Sequence, residues 1–187
     1  MLTEFDARAT AWINGLSGYP PFDSFFTLIT NIGVPLLVIA VALSWWLPDN
    51  PQGKRRAERH AAICCGLSFL LGLALNQAIL LLVQRARPYD AGITHLLIAP
   101  SVDPSFPSDH ATASFAIVFS YLLQDRFRRT MLFLLGALCV VFSRIYVGTH
   151  YLSDIAGGMA TALIAAIVIR AAYWEGTRLD RWVTALL

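Results

Sequence analysis

Arg85-Ala86-Arg87-Pro88, Pro107-Ser108-Asp109-His110 and Ser143-Arg144-Ile145-Tyr146-Val147-Gly148-Thr149-His150-Tyr151-Leu152-Ser153-Asp154 are three short polar stretches in an otherwise apolar chain. Apolar runs of near membrane length lie before, between and after them. Arginines, histidines, a serine and an aspartate therefore sit at the ends of those runs. Ionisable side chains are costly to keep in a membrane, so their presence there marks a functional site.

Working outward, hydrophobic residues make up 57% of the 187 residues and charged residues 14%. That excludes an ordinary soluble domain. Cys64, Cys65 and Cys139 fall inside apolar runs and form neither a disulfide framework nor a zinc spacing. Glu4 and Asp6 precede the first apolar stretch with no basic region, so no cleaved signal peptide is expected. Residues 3–16 carry Phe5, Ala9, Trp12, Ile13 and Leu16 on one helical face, the pattern of an interfacial helix lying on the membrane. Spanning helices are expected at about 22–46, with Pro35 as a kink, then at 61–84, 108–124, 131–146 and 152–173. A basic loop is expected at 48–60, a proline-rich loop at 86–107 and an amphipathic tail from 175. Gly158, Ala162 and Ala166, four apart, allow close helix packing. The expected fold is an all-α integral membrane protein with about five transmembrane helices plus an N-terminal interfacial helix, residues 1–187 forming one transmembrane domain.

With five spans, Lys54, Arg55, Arg56, Arg59, Arg126, Arg128, Arg129, Arg178 and Arg181 share one side. The other side keeps Arg8, Arg85, Arg87 and Arg144. By the positive-inside rule the first side is cytoplasmic, and all three polar stretches face outward.

His150 and Asp154 are four apart at a helix start, so they can meet on one face. A carboxylate on one ring nitrogen fixes the tautomer and leaves the other as a nucleophile. A structural His–Asp bond is the competing reading. Arg87 and Arg144 suit the bidentate binding of phosphate oxygens, against the alternative of snorkelling to head groups. Ser108 is a natural N-cap, and the helix start behind it offers N–H groups to an anion. His110 in that first turn can act as a general acid. A metal held by His110, His150 and Asp154 is disfavoured by the nearby arginines. His60 and His95 lack comparable partners and read as interfacial.

The order Arg-Pro, Pro-Ser-x-His, Ser-Arg-x5-His-x3-Asp resembles the type 2 phosphatidic acid phosphatase family over about residues 76–158. The resemblance implies a phosphohistidine on His150, oriented by Asp154, with His110 protonating the leaving group. It implies phosphate binding by Arg87, Ser108 and Arg144 and no metal or cofactor. Two positions depart from the family pattern. Leu80 stands where a lysine is usual, and Asp109 where glycine is usual. Asp109 joins the phosphate-binding turn, and its carboxylate must point away from the anion. Both departures, with Asp103-Pro-Ser-Phe-Pro-Ser-Asp-His110, Asn76 and Thr94-His95, look like the bacitracin-resistance type of undecaprenyl-diphosphatase. Arg85 is the candidate to replace the lysine. Arg87 precedes a proline and is pushed towards an extended conformation, in which side chains two apart share a face. Arg87 would then hold the transferred phosphate and Arg85 the one left behind; the competing reading leaves Arg85 as an anchor on lipid head groups.

The expected activity is removal of the terminal phosphate of undecaprenyl diphosphate at the outer face of a bacterial inner membrane. The motifs bind phosphate and not the lipid tail, so phosphatidic acid and phosphatidylglycerophosphate stand as alternative substrates. The expected partners are the lipid phosphate and membrane lipids, with no nucleic acid. The sequence carries no signal for an oligomeric state. A lipid transporter or binding protein is the rival class, but holding a phosphate needs no nucleophile.

Overall fold

The computed structural model describes residues 2–47 and 55–185, and these form seven helices. They are α1 (Leu2–Asn14), α2 (Pro20–Ser44), α3 (Arg55–Leu80), α4 (Asp109–Leu123), α5 (Phe127–Tyr146), α6 (Leu152–Ala172) and α7 (Arg178–Ala185). Part of the basic loop expected at 48–60, including Lys54, lies outside the described residues.

Pro20 and Pro21 open α2, where a missing N–H costs nothing. The outer face of α2 is a row of exposed apolar side chains: Phe25, Leu28, Ile32, Leu36, Ile39 and Leu43. Its inner face is small or polar, with Thr30, Gly33 and Ser44 buried. That is the pattern of a helix whose surroundings are lipid. A Cβ on Gly33 would come within 2.6 Å of Val140 Cγ2, so α2 and α5 meet as closely as backbone allows.

α2, α3, α5 and α6 are long and apolar enough to cross a membrane. α4, at 15 residues, reaches about 22 Å. It is the innermost helix, packed on α3, α5 and α6, with Ala111–Val118 all buried. Gly158, Ala162 and Ala166 on α6 are all buried. A Cβ on Gly158 would stand 2.5 Å from the Ser108 carbonyl and 2.8 Å from Ala111 Cβ, so glycine sets the approach of α6 to α4.

α3 begins at Arg55 rather than near Ala61, and α5 at Phe127 rather than Met131. The charged residues assigned to loops are helical because they find partners. Buried Glu58 takes Arg126 Nη1 at 3.3 Å and Arg129 Nε at 3.8 Å. His60 is also corrected: it is buried, not interfacial. Its Nδ1 lies 2.8 Å from Asp180 Oδ1, and its ring stacks on Tyr173 at 4.9 Å. These contacts dock α7 on α3, helped by Arg59 Nη1 donating to the Thr184 carbonyl. Arg59, Arg126 and Arg129 thus gather with α7 at one end of the bundle. The three polar stretches gather at the other.

α1 packs against α5 and α6 at that second end. Its apolar side faces away from the protein, with Phe5 66% and Trp12 70% exposed. Its polar stripe is not turned to water. Asp6, Thr10 and Asn14 are buried against the loops.

Candidate active site

Residues 81–108, between α3 and α4, fold back over the turn joining α5 to α6. Ser105 N–H donates to the Arg85 carbonyl (2.8 Å), and Leu97 N–H to the Val147 carbonyl (3.1 Å). Thr94 Oγ1 donates to the Gly148 carbonyl at 2.9 Å. Gly148 itself has φ +84°, and a Cβ there would meet the His95 carbonyl at 2.5 Å. Only glycine turns the chain so tightly here. The turn delivers His150 to a cavity of about 160 Å³.

Arg87, Asp109, His110, Arg144 and His150 line that cavity, together with Leu80, Ser101, Asp103, Pro104 and Pro107. Sequence separation between the first and last of the polar five is over sixty residues, and the fold brings them together. Arg87 is buried, with Nε donating to the Asp103 carbonyl (2.8 Å) and Nη1 to the Thr149 carbonyl (3.1 Å). Arg144, in the last turn of α5, donates from Nη1 to Thr30 Oγ1 of α2 at 2.7 Å. Its Nε is buried with no hydrogen-bond partner among the described residues. Neither arginine snorkels.

His150 Nδ1 lies 2.9 Å from the Ser105 carbonyl. A carbonyl only accepts, so Nδ1 carries the proton and Nε2 keeps its lone pair. Asp154 Oδ2 lies 3.5 Å from the same nitrogen. The pairing expected from the spacing is therefore shared: the backbone carbonyl is the nearer acceptor and Asp154 stands behind it. Burial, with the Arg144 and Arg87 cations adding to it, pulls the His150 pKa down to about 4, while the Asp154 hydrogen bond pushes the other way. The ring is neutral at neutral pH.

Asp154 is fully buried and accepts from three directions. Arg85 Nη1 donates to Oδ1 at 2.6 Å, while Ser105 Oγ (2.5 Å) and the Tyr151 N–H (2.8 Å) donate to Oδ2. Ser105 thus holds both His150, through its carbonyl, and Asp154, through its hydroxyl. Sequence reasoning missed this role. The only signal was a second serine in Asp103-Pro-Ser-Phe-Pro-Ser-Asp-His110.

Ser108 is the N-cap residue of α4, as expected, but its hydroxyl does not cap the helix. Ser108 Oγ is buried without a partner among the described residues. Ser108 does not itself line the cavity, but its neighbours Pro107 and Asp109 do, and a buried hydroxyl and a buried guanidinium nitrogen left unpaired call for an acceptor such as a phosphate oxygen. Asp109 does line the cavity, but its Oδ1 accepts from Asn76 Nδ2 at 2.7 Å, which holds that oxygen against α3. Asn76 also donates to Thr112 Oγ1 (2.8 Å). That accounts for an asparagine beside an unusual aspartate.

Arg85 does not share a face with Arg87, and the expectation that it holds a second phosphate is corrected. Its guanidinium bridges Asp154 and Asp6, with Nη2 donating to Asp6 Oδ2 at 2.7 Å and Tyr151 stacked beneath it at 3.8 Å. One cation between two carboxylates leaves a net negative cluster, which repels an anion. Local spacing could not show this, because Asp6 arrives from α1. Among the described residues, no group of three or more His, Cys, Asp and Glu side chains is placed to hold a metal.

A lipid-facing helical bundle with a buried cationic cavity at one end defines an integral membrane protein built to act on a phosphate group. Residues 61–178 match the family model described as the PAP2 superfamily. The chain is 34% identical over 153 residues to undecaprenyl-diphosphatase BcrC of Bacillus subtilis (strain 168), covering 81% of this chain and 76% of that one. Its fold resembles that of Aquifex aeolicus LpxE (TM-score 0.68, 21% identity, 86% of this chain and 92% of that one). It also resembles the transmembrane PAP2-type phosphatidylglycerolphosphate phosphatase of Bacillus subtilis (TM-score 0.64, 22% identity, 91% and 85%). The chain belongs to the PAP2 superfamily and is a membrane phosphatase of that family, with a lipid phosphate as substrate.

Proposed function

We propose that this chain removes the terminal phosphate of undecaprenyl diphosphate, giving undecaprenyl phosphate and inorganic phosphate, and that residues 1–187 act as one phosphatase domain. The observation that carries the chemistry is the His150 Nδ1 bond to the Ser105 carbonyl. It leaves Nε2 unprotonated on a residue that lines a cavity with two arginines. The likeness to the Bacillus subtilis undecaprenyl-diphosphatase supports the choice of substrate.

In this reading Nε2 attacks the terminal phosphorus in line with the bridging oxygen. The P–O bond breaks, and His110, which takes up a proton along with the anionic substrate, gives it to the leaving lipid monophosphate. Arg87, Arg144, Ser108 and the α4 N-terminus hold the oxygens on which charge gathers. Nδ1 keeps its proton throughout, and Asp154 offsets the positive charge on the phosphorylated ring. Water, deprotonated by His110, then attacks the phosphohistidine and releases phosphate. No step needs a metal. The positive-inside bias supports a site at the outer face of the bacterial inner membrane.

The test is phosphate release by purified protein on undecaprenyl diphosphate, phosphatidic acid and phosphatidylglycerophosphate side by side. The expected result is the highest kcat/KM on undecaprenyl diphosphate and none on any substrate for His150→Ala. A preference for either phospholipid would overturn the substrate, and turnover by His150→Ala would overturn the nucleophile. His110→Ala is expected to lose about 10²–10⁴-fold, the usual size of general acid catalysis.

A further inference from the structure

α1 carries Asp6, Thr10 and Asn14 four residues apart, and each ties down part of the site from outside the cavity. Asn14 Nδ2 donates to the His95 and Tyr146 carbonyls at 2.9 and 2.8 Å, and its Oδ1 accepts from His95 N–H at 2.7 Å. Thr10 Oγ1 accepts from Leu152 N–H at 3.1 Å. Asp6 accepts from Ser153 N–H (2.8 Å), Ser153 Oγ (2.5 Å) and Arg85 Nη2 (2.7 Å). Arg85 Nη1 in turn reaches both Ser153 Oγ (2.7 Å) and Asp154 Oδ1 (2.6 Å). The result is an unbroken run from α1 to the histidine: Asp6, Arg85, Asp154, His150.

We propose that Asp6 and Arg85 are positioning residues for the reaction: Asp6 anchors the Arg85 guanidinium, and Arg85 holds Asp154 in place behind His150. The inference rests on the reading of His150 as nucleophile and Asp154 as its support. Three features of the geometry support it. Arg85 does not line the cavity, so its route to the chemistry runs through Asp154. Its two terminal nitrogens serve two different carboxylates from fixed positions on one planar fork. And Asp154 Oδ1, buried completely, has Arg85 as its donor, so loss of Arg85 leaves an unpaired charged oxygen directly behind His150 and disturbs the carboxylate that supports it. Desolvation by burial pushes the Asp6 pKa up, but the hydrogen bonds from Ser153 and Arg85 outweigh it and hold the carboxyl below its ordinary range. Asp6 is therefore ionised and fit to anchor a cation.

A positioning residue acts on turnover and not on substrate binding, and it acts equally on every substrate. Arg85→Ala should lower kcat about 100-fold, the cost of a misplacement near 1 Å, with KM unchanged. The loss should be the same on undecaprenyl diphosphate and on a lipid monophosphate. Arg85→Lys should recover part of the rate, and added methylguanidinium should partly rescue Arg85→Ala. Asp6→Asn should lower kcat in the same sense, and Asp6→Ala combined with Arg85→Ala should be no slower than Arg85→Ala alone, since the two act as a unit. A larger loss on the diphosphate, or a raised KM, would overturn the proposal and make Arg85 a substrate contact. Unchanged kcat in Arg85→Lys and Asp6→Asn, the variants that keep the shape of the site if the alanines do not fold, would overturn it too. His150→Ala and Asp154→Ala serve as references. Turnover in those would remove the underlying reading, whereas their loss beside unaffected Asp6 and Arg85 variants would remove only this inference.

Discussion

Ser105→Ala takes one oxygen from the network behind His150 and leaves the rest standing. The hydroxyl donates to Asp154 Oδ2 at 2.5 Å, and a hydrogen bond to a charged acceptor is worth about 1.5–3 kcal/mol. If all of that were expressed in the transition state, the rate would fall about 10- to 150-fold. The structure argues for the lower end. Asp154 keeps Arg85 at 2.6 Å and the Tyr151 N–H at 2.8 Å, and His150 keeps the Ser105 carbonyl, which the substitution does not touch. The expected result is a kcat about 10-fold down with KM unchanged and the protein folded. Asp154→Ala, which removes the acceptor itself, should cost far more, about 10⁴-fold on the scale known for a carboxylate supporting a catalytic histidine. Phosphate release on one lipid substrate, with circular dichroism as the folding control, measures both. Equal losses in the two variants would refute the ranking, because the hydroxyl would then act on the histidine or the substrate directly. An unchanged Ser105→Ala would show that Asp154 needs only its other donors.

The low pKa of His150, about 4, places the acid limb of kcat/KM near that value, since the ring is a nucleophile when neutral, while the alkaline limb reports loss of the proton that His110 must donate; an acid limb near 6.5 would refute the burial argument. Chelators should leave activity intact and vanadate, which can take the place of the five-coordinate phosphoryl group, should inhibit; loss of activity in chelator with recovery in magnesium would overturn the proposed chemistry. A membrane-impermeant thiol reagent should label Ala91→Cys, but not Arg128→Cys, on intact cells carrying Cys139→Ala, and the reverse pattern would invert the topology.

The helices α2, α3, α5 and α6 were legible because each is an apolar run of about membrane length ended by proline, glycine or charge. Their ends were less so. The Arg55–His60 segment reads as a solvated basic loop until Glu58 is seen to meet Arg126 and Arg129, and His60 to meet Asp180 across 120 residues of sequence. Periodicity carries no information about partners that far apart. The residues lining the cavity were legible for a different reason: Arg87, His110, Arg144 and His150 are polar residues at the ends of apolar runs, where nothing but function or a local partner keeps them. Once the runs are stacked as neighbouring helices, those ends meet.

What supports the cavity was hidden, and α1 shows why. An amphipathic helix advertises two faces, and the usual assignment sends the apolar face to the membrane and the polar face to water. Asp6, Thr10 and Asn14 break the second half of that rule. Side chains of moderate size with hydrogen-bonding ends, four apart, face the loop backbone instead. A folded loop at a membrane surface has carbonyls and N–H groups that neither lipid nor a neighbouring strand will satisfy, and a polar helix stripe can satisfy them. The same arithmetic explains Arg85. Read alone, it is a cation two residues from a phosphate-binding cation. With Asp6 on one side and Asp154 on the other, its charge is already spoken for. Electrostatic neutrality inside a poorly hydrated site, and not sequence spacing, decides which arginine is left to meet the phosphate: Arg87 and Arg144, whose hydrogen-bond partners are carbonyls and a hydroxyl, keep their full charge for it.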